Sequence, residues 1–175
     1  MKKFCNILFL NLSMKNFISF FIFFVFCGLA SAQQTDIPIL KYEMLEDKIN
    51  IEKPKLVIVN FWSTTCAPCV KELPDFMEVH SKYRDNPNYK MLLVSLDRPK
   101  DIARVQKFII EKNISAEVVI LDDIKRMNTW IPRYDKDWQG EIPVTVFYKN
   151  GDKVHFNNGE MSKEDLENTI TKYLN

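Results

Sequence analysis

Two cysteines stand three positions apart in Cys66-Ala67-Pro68-Cys69. Such a pair can cycle between dithiol and disulfide, and its thiolate can attack a disulfide in another molecule. Two plainer uses compete. As a structural staple, so short a loop contributes about 2 kcal/mol, against about 3 for a fifteen-residue loop. A closed zinc site needs four ligands, and only His80 and His155 are left to complete one, with no close His pair between them. Thiol–disulfide exchange is the chemistry this pair implies.

The elements that must position the pair can be read around it. Leu56-Val57-Ile58-Val59-Asn60-Phe61-Trp62 is a nearly continuous β-branched and aromatic run, as in a strand buried on both faces. The polar turn Ser63-Thr64-Thr65 follows, and then Val70, Leu73, Phe76, Met77, His80 and Tyr83 recur at helical spacing. Cys66 therefore opens a helix, where unpaired backbone N–H groups and the helix dipole favour a thiolate. Cys69 lies one turn further in. Pro68 lacks an N–H but suits a first helical turn. Pro74 sits deeper and predicts a kink, because the apolar spacing continues past it. Glu72, three residues beyond Cys69, shares its side of the helix; it is either a proton acceptor beside the thiols or an exposed helix glutamate.

The alternation continues. Met91–Leu96 reads as a strand, Pro99–Asn113 as a helix, Glu117–Leu121 as a strand and Ile124–Ile131 as a short helix. Val144–Tyr148 and Val154–Phe156 form a hairpin about Asn150-Gly151. Ser162 with Asp165 opens a last helix by capping logic, with Leu166, Ile170, Tyr173 and Leu174 on its buried face. This order implies an α/β fold with a mixed sheet between helices. Trp62 reads as packing beneath the cysteine motif. Trp130 and Trp138 flank the polar loop Arg133–Gly140 and are either a rim for a partner or the packing of that loop.

The chain has 175 residues, 46% of them hydrophobic, and its 24 basic and 23 acidic residues leave a net charge of +1. That balance offers no basic field for nucleic acid. Residues 1–32 stand apart: they carry Lys2, Lys3 and Lys15 and no acid, the apolar run Phe17–Phe26, and then Ala30-Ser31-Ala32. A basic start, a short apolar core and a small-residue exit read as an export signal, cut after Ala32. The alternative is an uncleaved anchor, for which the 14-residue apolar stretch 17–30 is short against the roughly 20 residues that span a bilayer. Residues 33–175 then form one domain of net charge −2, because three lysines leave with the signal. Cys5 and Cys27 leave as well, so Cys66 and Cys69 are the cysteines of the mature chain.

Taken together, Asn60-Phe61-Trp62, Cys66-Ala67-Pro68-Cys69, Glu72, Pro74 and Ile142-Pro143 resemble the thioredoxin fold. With the export signal and the additional helix–strand segment 99–121, the chain resembles more closely the TlpA/ResA-like exported thiol–disulfide oxidoreductases. The resemblance covers Lys55 to the C-terminus and implies a redox-active disulfide with no further cofactor and no metal. It implies Cys66 as nucleophile, Cys69 as resolving thiol, Glu72 as proton acceptor, and a cis Ile142-Pro143 peptide whose backbone meets a bound client. Thr65 stands where family members often have Trp, and Asn60 where thioredoxin has a buried Asp; Asn cannot take a proton, which moves attention to Glu72.

The implied partners are client proteins with dithiols or disulfides, apocytochromes among them, and a membrane electron donor. The implied place is the bacterial periplasm, free or tethered to the inner membrane. A thiol peroxidase is the rival enzyme, but Ser63 occupies the Thr place of a T-x-x-C motif. A metal chaperone on the same fold is the rival of another class, and no Met or His ligand stands close to the pair in sequence.

Overall fold

The computed structural model describes residues 36–51 and 55–174. The segment read as an export signal, residues 1–32, and its cleavage point lie outside the described residues.

Six strands form one mixed sheet in the order β1-β4-β3-β2-β5-β6. Strands β1 (Ile39–Leu40), β2 (Leu56–Trp62), β3 (Tyr89–Ser95) and β4 (Glu117–Leu121) run parallel, and β5 (Val144–Lys149) and β6 (Asp152–Asn158) join antiparallel beside β2. The helices are α1 (Tyr42–Ile51), α2 (Ala67–Tyr83), α3 (Ile102–Glu111), α4 (Met127–Tyr134) and α5 (Lys163–Leu174). Short 3-10 turns, Pro99–Asp101 and Ile124–Arg126, lead into α3 and α4.

All seven residues of β2 are buried, because helices cover both faces of the sheet. Strand alternation sorts them. Leu56, Ile58 and Trp62 face a core with Leu73 and Phe76 of α2, Val105 of α3, and Leu166 and Ile170 of α5. Val57, Val59 and Phe61 face the opposite core, with Leu45 of α1 and Trp130 and Tyr134 of α4. Asn60 shares parity with the first set, so the one polar break in this strand faces the layer that contains α2.

The elements from β2 onward stand close to their expected bounds. The hairpin register pairs Tyr148 with Lys153 and Lys149 with Asp152, and Asn150 and Gly151 both take positive φ, as a two-residue turn of this hand requires. Pro74 does not end α2, which continues to Tyr83. The helix expected over 124–131 begins as a 3-10 turn and ends at Tyr134, with Pro132 inside it. β1 and α1 are additions to the sequence reading. Tyr42, Leu45 and Ile49 are the buried residues of α1, a three-and-four spacing the sequence does carry.

Candidate functional site

Cys66 is the N-cap residue of α2, in extended conformation, and Pro68 sits in the first turn. The Cys66 carbonyl accepts the Val70 N–H at 3.0 Å, and the Cys66 sulfur accepts the Cys69 N–H at 3.3 Å. The two cysteines are joined as a disulfide, with Cα atoms 5.3 Å apart. They differ in access: Cys66 is half-buried, whereas Cys69 is fully covered. An anionic Cys66 sulfur would be stabilised by the same Cys69 N–H and by the positive end of the 17-residue helix.

The Ile142–Pro143 peptide is cis, and the Ile142 carbonyl oxygen lies 3.6 Å from the Cys66 sulfur. Ile142 is half-buried and Pro143 buried. The loop is held from several sides. Trp138 Nε1 donates to the Glu141 carbonyl at 2.7 Å, and the Gly159 N–H donates to the Pro143 carbonyl at 2.9 Å. The Asn158 amide donates to the Glu141 carboxylate. Gly140 takes φ +96°, and a Cβ there would come within 3.0 Å of Ile131 Cδ1 and 3.1 Å of Met127 Cε. Both facts favour glycine at the entry to the loop.

Glu72 is not an exposed helix residue: it is 4% accessible. Its Oε1 accepts from Asn60 Nδ2 at 2.9 Å and its Oε2 from the Met161 N–H at 2.9 Å. Asn60 Nδ2 also reaches Thr145 Oγ1 at 3.1 Å. Burial pushes the Glu72 carboxyl up to about 7, although the hydrogen bonds from Met161 and Asn60 pull the other way. Burial thus moves this acid, one helical turn past Cys69, toward neutrality, where a proton acceptor is most useful.

The structure corrects the reading of Trp138 as a substrate-binding rim. The indole is 2% accessible and packs against Phe61 at 5.0 Å and Trp130 at 5.8 Å between ring centroids. A large apolar ring gains more from that aromatic core than from solvent, and its N–H finds the Glu141 carbonyl. Trp138→Ala is expected to cost about 3–5 kcal/mol in urea unfolding. Unchanged stability with weakened client binding would return Trp138 to the surface role. Trp62 is fully buried in the α2-side core and lies 5.2 Å from Phe108.

Sequence reasoning missed Asp97, Ser95 and Arg104. Asp97 is buried and accepts hydrogen bonds from Thr64, Ser95 and Arg104. Among the described residues, no three His, Cys, Asp or Glu side chains cluster as a metal site would require.

A cysteine pair at a helix N-terminus after a central buried strand, facing an X-Pro loop that leads into an antiparallel hairpin, defines the thioredoxin-like fold. The chain belongs to the AhpC/TSA family, whose pattern it matches over residues 34–156. Thiol-disulfide oxidoreductase ResA of Bacillus cereus is 30% identical over 121 residues, which are 69% of this chain and 64% of the relative. The chain therefore spans somewhat less than two thirds of that relative's length. The thioredoxin domain of a thiol-disulfide oxidoreductase from Bacteroides vulgatus matches with TM-score 0.58 and 25% identity, over 72% of this chain and 84% of that one. A thioredoxin-family thiol:disulfide interchange protein from Chlorobium tepidum matches with TM-score 0.60 and 21% identity, over 71% and 83%.

Proposed function

We propose that this chain is an exported thiol–disulfide oxidoreductase that reduces disulfides in client proteins. The observation that carries the reading is the unequal pair at the start of α2, one sulfur reachable and one covered, with the Ile142 backbone against the reachable one. The names of the relatives support it.

In the reducing direction, the Cys66 thiolate attacks one sulfur of a client disulfide. A Cys66–client S–S bond forms, the client S–S bond breaks, and one client sulfur leaves as a thiolate. Cys69 then gives up its proton, for which Glu72 is the acceptor, and attacks Cys66. The Cys66–Cys69 bond forms, the mixed disulfide breaks, and the second client sulfur leaves. The client gains two electrons and the pair is oxidised. A membrane electron donor returns it to the dithiol. Ile142 and Pro143 present backbone to the client, and Asn60 holds Glu72 in place. The redox-active disulfide serves without a further cofactor.

The export signal over residues 1–32 supports a periplasmic site, with the inner membrane touched only through that segment, and exported dithiol proteins such as apocytochromes as clients. Among the described residues, no helix is long and apolar enough to cross a membrane.

The test is the reduction potential of the Cys66–Cys69 couple, followed through tryptophan fluorescence in a thiol redox buffer. A value at or below roughly −230 mV is expected for a reductase. A value near roughly −120 mV would mark an oxidant that inserts disulfides, and would overturn the direction.

A further inference from the structure

The turn that presents Cys66 is closed by its own N–H, which donates to the Ser63 carbonyl at 3.2 Å. Thr64, inside that turn, is gripped from another part of the chain. Its N–H donates to Asp97 Oδ2 at 2.8 Å and its hydroxyl to Asp97 Oδ1 at 2.7 Å. Asp97 follows β3, and its side chain is 1% exposed. The Ser95 hydroxyl donates to Oδ2 at 2.8 Å and accepts the Asp97 N–H at 3.1 Å. Arg104, from α3, completes the group: Nη2 donates to Asp97 Oδ1 at 2.7 Å and Nε to Thr64 Oγ1 at 2.8 Å.

This arrangement does more than satisfy a buried acid. The Thr64 N–H and the Thr64 hydroxyl both end on the Asp97–Arg104 pair. The pair thereby ties the edge of α3 and the end of β3 to the backbone two residues before the reactive sulfur. Burial raises the Asp97 carboxyl, yet the hydrogen bonds from Thr64, Arg104 and Ser95 outweigh it and hold the group below its ordinary range. Arg104 is held charged by Asp97. Both charges are therefore present at neutral pH, one anionic and one cationic, and both rest on Thr64, two residues before Cys66.

We propose that Asp97 and Arg104 are positioning residues for the exchange reaction: an ion-pair clamp on Thr64 that fixes the Cys66 turn and balances the charge the sulfur meets. The inference rests on the reading of Cys66 as the nucleophile. Its consequence is a signature that loosening alone does not give. Arg104→Gln leaves the Asp97 anion uncompensated, which disfavours the thiolate and raises the Cys66 thiol pKa. Asp97→Asn leaves the Arg104 cation uncompensated and lowers it. A turn that merely loses order moves both variants the same way. The other charges about the site stay in place in both: Glu72 on α2, Glu141 beside Ile142, the Lys71–Glu160 pair and Asp101, which Arg98 holds at 3.0 Å and which lies 3.6 Å from Arg104.

The test is the pH dependence of alkylation of the reduced, purified full-length chain by iodoacetamide, with peptide mapping to assign the label. Opposite displacements of the Cys66 profile are expected, each on the order of 0.5 pH or more for a charge near a thiol. Arg104→Lys should return the profile toward wild type, because it restores the cation. The double variant Asp97→Asn, Arg104→Gln should also return toward wild type in thiol pKa while exchanging more slowly, because the charges are gone and the grip with them. Displacements of the same sign, or none, with Cys66 carrying the label, would overturn the clamp and leave the nucleophile assignment standing. Preferential labelling of Cys69 in the wild-type chain would overturn both. Arg104 is 46% exposed in its side chain, so Arg104→Gln and Arg104→Lys keep the test open if Asp97→Asn does not fold.

Discussion

Cys66→Ser abolishes disulfide exchange, leaving only the uncatalysed rate, whereas Cys69→Ser traps the client as a mixed disulfide. The expectation follows from access and from the environment of each sulfur. Only a thiolate attacks a disulfide, and its rate depends on thiolate fraction and on reach. Cys66 has reach at the mouth of the site, and it sits where a helix N-terminus and the Cys69 N–H favour negative charge. Cys69 has 0% accessibility, so it cannot meet a client sulfur before Cys66 has done so. Once Cys66 is bonded to the client, however, Cys69 lies within one helical turn of the new bond. Removing the resolving thiol therefore stops the cycle at its midpoint rather than at its start. Non-reducing electrophoresis of each variant with a disulfide-bearing client reads the difference directly. Covalent adducts through Cys69 in the Cys66→Ser variant would reverse the two roles.

The parts of this site that were legible in the sequence share one property: their signal is local. The cysteine spacing, the unbroken run from Leu56 to Trp62 and the Asn150-Gly151 turn each declare themselves within a few residues. Glu72 was half legible. Its spacing from Cys69 was plain, but its burial depends on a stripe of Cys69, Leu73 and Phe76 that turns the same way, and a charged residue in such a stripe reads first as a break. Trp138 stayed ambiguous between rim and packing because its neighbours in sequence are polar, while its neighbours in space are Phe61 and Trp130. The Asp97 group was illegible for a further reason. Thr64 and Asp97 are 33 residues apart, and a Ser-x-Asp after a strand looks like any solvated loop until α3 brings Arg104 over it. β1 has two residues, too few for any period to show.

Glu72 makes the second large expectation, and its sign can be worked out. The carboxyl rises from its ordinary 4.5 to about 7 in the folded chain, chiefly through burial. The folded state therefore holds the proton more tightly than the unfolded state. Its contribution to stability is complete below about pH 4.5 and is lost as pH rises through about 7, an effect of about 3 kcal/mol. Glu72→Gln removes that dependence. Urea unfolding at pH 5 and pH 8 should show the variant gaining on the wild type as pH rises. His80 and His155, whose pKa values burial lowers, contribute equally in both proteins, so the difference isolates Glu72. A wild-type-to-variant difference that does not change with pH would mean that Glu72 titrates as an ordinary exposed acid. The same substitution bears on catalysis. In the proposed cycle Glu72 takes the Cys69 proton and gives it up again, and Gln can do neither. In the variant, release of the client from the mixed disulfide should slow and should recover only as rising pH deprotonates Cys69 without help. The stability that Gln restores as pH rises is thus the measure of what the fold gives up to keep an ionisable acid buried one turn past Cys69.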